Sequence, residues 1–360
     1  MKTIIKVLAQ LKRFSLLAIE SLIIGPSSAR FLYWMSSQEP LDPQVTWDRF
    51  TTPGGSAFEW VMGNYPPPII RQLFLDLYYR RTFNFKDHQA GISEHYDLSN
   101  RFYELFLDRQ YMFYSGADFH APHETIEAAQ EHKADYIIDL IEPHAGENIL
   151  DLGCGWGSML KKIFDRTQDK EHLYGYTLST EQEKFIDDKY GFHVELKDFI
   201  ATTYLDESFD KIVSIGSIEH VREFELLPLA QKLAKAIKPD GRIVHQFFCQ
   251  AGKVFPTRLL PLALVIFPGS ELTNLKQHLD TFAAAKLQVT HHSIHDYRPT
   301  LKAWFDRLVE NKEAAIQLVG VQTYNKYLCY LAESWRLFND CDLILMRFVL
   351  KRQDLAIENV

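Results

Sequence analysis

The chain has 360 residues, 46% hydrophobic and 24% charged, proportions of an ordinary globular protein that exclude a disordered or low-complexity chain. A net charge of −8 argues against nucleic acid as the main partner, because binding phosphates needs a concentrated basic surface. The four cysteines, Cys154, Cys249, Cys329 and Cys341, form no Cys-x-x-Cys pair, so they offer no zinc framework and fit a reducing cytoplasm.

In chain order, Lys2, Lys6, Lys12 and Arg13 come before an apolar stretch at residues 14–25. Glu20 interrupts that stretch and no small-x-small cleavage site follows it. It also falls short of the roughly 20 apolar residues that span a bilayer. Ile4, Val7, Leu8 and Leu11 share one side of a helical wheel, with Lys2, Lys6 and Arg13 on the other. That is the pattern of a basic interfacial helix, and equally of an amphipathic helix docked on its own protein. Residues 1–36 read as helical. Residues 38–68 are loop-rich, broken by Pro40, Pro43, Pro53-Gly54-Gly55 and Pro66-Pro67-Pro68. Residues 69–83 read as a second helix ending in Arg80-Arg81.

From residue 147 strands and helices alternate. Strands are expected at 148–152, 173–177, 192–196, 209–215 and 242–248, with a late one at 342–350. A helix at 179–190 has Ser179 as its N-cap and Glu181 and Gln182 in its first turn. Another at 226–237 is stopped by Lys238-Pro239-Asp240-Gly241. The rhythm predicts an α/β fold, a doubly wound, Rossmann-like and mostly parallel sheet with a helical N-terminal extension. Residues 1–90 are expected to form that extension, 91–352 a catalytic domain and 353–360 a tail.

The first strand runs into Asp151-Leu152-Gly153-Cys154-Gly155-Trp156-Gly157-Ser158. Glycine permits positive φ and lets a ligand lie close to the backbone. In an open α/β sheet, ligands bind at the carboxyl ends of the strands. A dinucleotide fingerprint is G-x-G-x-x-G, and here the third glycine comes one residue too early. The arrangement instead resembles motif I of class I S-adenosylmethionine-dependent methyltransferases. Many of those enzymes end the second strand with an acidic residue for the ribose. Here it ends Thr177-Leu178-Ser179, which leaves polar contacts to Thr177 and Gln182, with Asp198 after the third strand placed for the adenine. Cys154 reads as a small packing residue beside the loop.

Several ordered motifs make the likeness more specific. His95-Tyr96-Asp97-Leu98-Ser99-Asn100, the segment from Phe102 to Asp108, Gly175-Tyr176-Thr177-Leu178-Ser179, Gly216-Ser217-Ile218-Glu219-His220, Phe267-Pro268-Gly269-Ser270 and Tyr297-x-x-Thr300-Leu301-x-x-Trp304 resemble the cyclopropane fatty acyl phospholipid and mycolic acid cyclopropane synthases. The resemblance implies methyl transfer to a cis double bond of a lipid acyl chain. It implies cofactor contacts from Tyr114, Ser115, Asp151, Gly153, Gly155, Gly157, Thr177, Gln182 and Asp198. It also implies a bicarbonate base cradled by Cys, Glu, His and Tyr side chains. Glu219, His245 and Tyr297 match the last three. The cysteine does not carry over, since the chain reads Tyr114-Ser115-Gly116, and this sets bicarbonate and ring closure in question. A coclaurine-type N-methyltransferase is the alternative, in which Glu219 and His220 would bind or deprotonate an amine. A non-catalytic membrane-associated binding protein is the third reading, disfavoured by the intact motifs. The cluster His291-His292-Ser293-Ile294-His295 reads as a solvated strand or turn, and no metal is expected. A lipid or membrane surface is the expected partner, and the chain is expected in the cytoplasm, peripheral on the inner face of the membrane.

Overall fold

The computed structural model of the chain describes residues 33–52, 100–252, 259, 262, 266–267 and 271–353. The basic helix expected at the N-terminus lies outside these residues except for its last few. So do the helix expected at 69–83, the segment 95–99 and Pro268-Gly269-Ser270.

Among the described residues three helices come before the sheet: α1 (Pro43–Thr51), α2 (Asn100–Glu104) and α3 (Ile126–Ile141). The side chains of Asp42 and Thr125 cap α1 and α3 by accepting from Val45 N and Ala128 N, each meeting a backbone donor that the first turn leaves free. Then follow β1 (Ile149–Leu152), α4 (Ser158–Thr167), β2 (Leu173–Thr177), α5 (Thr180–Tyr190), β3 (His193–Leu196), β4 (Phe209–Ile215), α6 (Glu223–Ala236) and β5 (Ile237–Gln250). The chain closes with α7 (Leu275–Ala284), β6 (Leu287–His295), α8 (Arg298–Glu310), α9 (Lys312–Asn339) and β7 (Leu343–Arg352).

The seven strands among the described residues form one sheet in the order β3-β2-β1-β4-β5-β7-β6. From β3 to β5 all pairings are parallel, and β7 runs antiparallel to both β5 and β6. Strand order reverses between β1 and β4, so the loops after those two strands diverge and leave a crevice at their carboxyl ends. The expected doubly wound, mostly parallel sheet is therefore present. Ser179 caps α5 as expected, accepting from Gln182 N.

Two details differ. The segment Lys238-Pro239-Asp240-Gly241 does not separate helix from strand. β5 begins at Ile237, directly after α6, and the segment lies in a register shift opposite Phe209 and Lys211. A Cβ on Gly241 would lie 2.7 Å from the Asp210 carbonyl, so the bulge closes only around glycine. The histidine cluster at 291–295 belongs to β6, an edge strand whose residues alternate between half-buried and exposed. Among the described residues no group of His, Cys, Asp and Glu could hold a metal ion.

Candidate active site

The turn after β1 is built from positive φ. Gly153, Gly155 and Gly157 have φ of 76°, 54° and 77°. A Cβ on Gly153 would lie 2.6 Å from Ser217 Cβ, so the β1 and β4 loops can approach only without one. Ser217 Oγ donates to the Leu152 carbonyl at 2.6 Å and ties those loops together. A Cβ on Gly155 would meet no protein atom within 4 Å, because it would project into the crevice. Gly157 does something else. It is the N-cap of α4, and a Cβ there would lie 3.0 Å from Ile186 Cγ1, so it shapes the turn without facing the opening.

The crevice has about 1090 Å³ of empty space including its mouth, enough for a nucleoside with an amino-acid tail. Tyr114, Ser115, Asp151, Gly153, Gly155, Thr177, Gln182 and Asp198, all expected contacts, line it together. Thr177 Oγ1 donates to Gln182 Oε1 at 2.7 Å, so the end of β2 and the first turn of α5 present one joined polar edge where a carboxylate is missing. Asp198 Oδ1 accepts from Ile200 N at 2.8 Å, which fixes the loop after β3. Ser217, His220 and Glu225 line the crevice too, and motif spacing had singled out neither Ser217 nor Glu225 for the cofactor.

Beneath the crevice the burial of charge is unusual. Burial raises the Asp151 carboxyl to about 7, with Lys133 pulling the other way. Lys133 is fully buried, which pushes its ammonium well below the usual lysine range, and its Nζ donates to Ser115 Oγ at 2.9 Å. Gln130 and Lys133, both on α3, reach the segment 113–118, a meeting that only the fold reveals.

A second chamber adjoins the crevice, and His220 lines both. Phe248, Phe267, Leu301, Tyr330 and Phe338 make its walls largely apolar and aromatic, and Glu219 and Tyr297 also face it. Two of the three side chains expected to act together thus share one cavity. Glu219 rides on a single 3₁₀ turn, Ile218–His220, directly after β4. It is buried, its Oε2 has no hydrogen-bond partner, and burial raises its carboxyl to about 8. Its Oε1 lies 3.8 Å from the Cβ position of Gly216, which lines the crevice. The carboxyl therefore stands where the two cavities meet.

His245, the remaining catalytic expectation, is placed elsewhere. It sits inside β5 with Nδ1 2.7 Å from Ser214 Oγ and its ring stacked on Phe282 of α7, at 6.2 Å between centroids. Burial pushes it down to about 3, so it is a neutral core histidine, and it lines neither cavity. The pleat is the reason. Successive strand residues face opposite sides, and the next residue, Gln246, reaches the site side, where Nε2 donates to the Gly116 carbonyl at 3.2 Å. At Gly116 itself a Cβ would lie 2.5 Å from Leu345 Cδ2 and 3.2 Å from the Tyr297 ring. Leu345 and Tyr297 hold the room a side chain would need. With no side chain at 116 and His245 facing away, the residues present do not form the four-sided bicarbonate cradle.

The family model for mycolic acid cyclopropane synthetase matches residues 83–348. Cyclopropane mycolic acid synthase 2 of Mycobacterium bovis is 32% identical over 290 residues, 72% of this chain and 93% of that protein. A probable fatty acid methyltransferase of Pseudomonas putida is 31% identical over 272 residues, 70% of this chain and 66% of that one. The crystal structure of mycolic acid cyclopropane synthase CmaA1 complexed with SAH and CTAB superposes with a TM-score of 0.68 at 26% identity. It covers 74% of this chain and 98% of that one.

Proposed function

The chain belongs to the mycolic acid cyclopropane synthetase family and is an S-adenosylmethionine-dependent methyltransferase, and on that premise we propose that it methylates a cis double bond in a lipid acyl chain. The observation that carries the proposal is the chamber beside the crevice, apolar and aromatic on its walls, whose carboxyl is kept uncharged by burial at neutral pH. Its relatives' names point the same way, to mycolic acids and a fatty acid.

The cofactor, when bound, supplies an electrophilic methyl group. The rest falls to the residues. An alkene is a poor nucleophile, so the walls must hold it still and in line. Methylation leaves positive charge on the acyl chain, and the faces of Phe248, Phe267, Tyr297 and Tyr330 can stabilise it by cation–π attraction. Glu219, in its ionised form, is the group placed to take the proton that the cation must lose. Taken from the new methyl, that proton leaves a cyclopropane. Taken from a neighbouring chain carbon, it leaves a methyl-branched alkene. No step is assigned to bicarbonate, because Gly116 and His245 do not supply its cradle.

An aromatic chamber with one carboxyl would also suit an amine, and this favours the N-methyltransferase reading to the extent that Glu219 is ionised. Incubation with methyl-labelled S-adenosylmethionine and vesicles of monounsaturated phospholipid separates the two. The proposal expects label in the acyl fraction. Label confined to added benzylisoquinoline amines, with none in lipid, refutes it. Anionic vesicles should also pull down the full chain, in keeping with the sequence at its N-terminus, where Lys2, Lys6, Lys12 and Arg13 are interspersed with Ile4, Val7, Leu8 and Leu11.

A further inference from the structure

On the face of β5, β7 and β6 that looks toward α3, a polar cluster interrupts an otherwise apolar core. Arg347, in the middle of β7, is 0% exposed. Its Nε donates to Gln246 Oε1 at 2.7 Å, across the register pair that joins β5 to β7. Its Nη1 and Nη2 donate to Asp118 Oδ2 and Oδ1 at 2.6 and 2.9 Å. His295 Nδ1 stands 3.0 Å from the same Asp118 Oδ1, and its Nε2 stands 2.7 Å from Ser293 Oγ. Tyr136 of α3 lays its ring 5.0 Å from the guanidinium.

Two arms of this network, through Gln246 and Asp118, hold residues 113–118, and other residues hold the same segment. Gln246 Nε2 donates to the Gly116 carbonyl at 3.2 Å. The Ala117 amide donates to Thr300 Oγ1 at 2.9 Å, and the Asp118 amide to the Ala129 carbonyl at 3.0 Å. Gln130 Nε2 donates to the Ser115 carbonyl at 2.9 Å. Two residues before Arg347, and so on the same face of β7, Leu345 fills the space beside Gly116. This strap carries Tyr114 and Ser115 into the crevice.

We propose that Arg347 is a positioning residue for methyl transfer, fixing Gln246 and Asp118 so that the strap holds Tyr114, Ser115 and Gly116 against the reacting groups. This rests on the methyltransferase reading of the crevice. The physical argument is one of orientation. A carboxamide can turn over and exchange its donor and acceptor ends. A guanidinium Nε–H aimed at Oε1 admits only one orientation, the one that leaves Nε2 to donate to Gly116. The fork on Asp118 pins the other end of the strap in two places at once. A buried ion pair adds little to stability, because desolvating both charges offsets their attraction. Its effect lies in which arrangement it selects. Misplacing a reacting group by even about 1 Å can cost roughly 100-fold in rate.

The test uses the full chain with two main variants and Arg347→Lys as an intermediate. In the first, Arg347→Met and Asp118→Leu are combined so that no lone charge is left buried. The second is Gln246→Leu. Calorimetry with S-adenosylhomocysteine, thermal unfolding, hydrogen exchange of the peptide covering 112–119, and kcat and KM on monounsaturated phospholipid vesicles are measured for each. The proposal expects homocysteine-nucleoside affinity within about threefold and exchange at Ala117 and Asp118 faster by about tenfold or more. It expects kcat to fall roughly 10- to 100-fold with KM nearly unchanged. Arg347→Lys, which keeps the charge but not the fork, should fall between. Unchanged exchange and kcat in either folded variant would overturn the proposal. So would a parallel loss of unfolding temperature, affinity and kcat, which marks a merely structural role. If the parent chain fails to methylate the vesicles, the lipid substrate is wrong, and the exchange measurement still decides the role of Arg347.

Discussion

At Glu219, one cause, burial, sets both chemistry and stability. The carboxyl sits near 8 in the folded chain against an ordinary 4.5. The folded state therefore keeps a proton that the unfolded state releases, and its contribution to stability is full below 4.5 and lost as pH rises through 8. Glu219→Gln cannot ionise, so at neutral pH it should be more stable than the parent by about 3 kcal/mol, with the difference closing in acid. Denaturant titrations at several pH values check this. The same variant should bind S-adenosylhomocysteine normally and lose turnover. In the parent chain, kcat should climb with pH toward about 8 as Glu219 becomes a base, a limb the variant lacks. At Gly155, a valine would put its side chain into the open crevice at a φ of 54°, and S-adenosylhomocysteine affinity should drop by about 100-fold or more by calorimetry. Retained affinity would remove the loop from the site. These two residues were legible because their chemistry is local, the glycine needing its φ and the carboxylate following directly on β4. His245 was not legible in the same way. A titratable side chain draws attention, but a strand's period of two decides which side it serves, and the period favoured Gln246.

Among the elements, β5 shows how that alternation can be measured. His245→Leu removes a neutral ring from the α7 side and should leave kcat within about threefold, while Gln246→Leu, one residue on, should cost roughly tenfold or more. Equal effects would mean the pleat does not separate core from site. Late in the chain, α9 contains Gly320 at φ 80°, ψ 165°, a conformation open in practice only to glycine. A Cβ there would touch nothing, so Gly320→Ala tests backbone strain alone. It should destabilise by about 1–3 kcal/mol with cofactor affinity intact, as read by thermal unfolding and calorimetry. The glycine turn, the strands β1 to β5 and the cap of α5 could be read from sequence because each carries its own signal. The polar face of β5, β7 and β6 could not, because Asp118, Gln246, Ser293 and Arg347 lie far apart in the chain and each looks ordinary alone. Only the antiparallel return of β7 brings them into one network.

For the whole molecule, the division of labour follows from the sheet. Its parallel half presents glycine and polar edges to a nucleoside, and its antiparallel end, with α8 and α9, builds an aromatic chamber for an apolar chain. Among the described residues no helix is long and apolar enough to cross a membrane. The most direct test expresses the chain, and separately its Glu219→Gln variant, in a host rich in monounsaturated phospholipids and weighs the acyl chains by mass spectrometry. The account predicts acyl chains one methylene heavier with the parent and none with the variant, gas chromatography then separating ring from branch. Unaltered acyl chains from a host in which the purified parent methylates a soluble amine would contradict it.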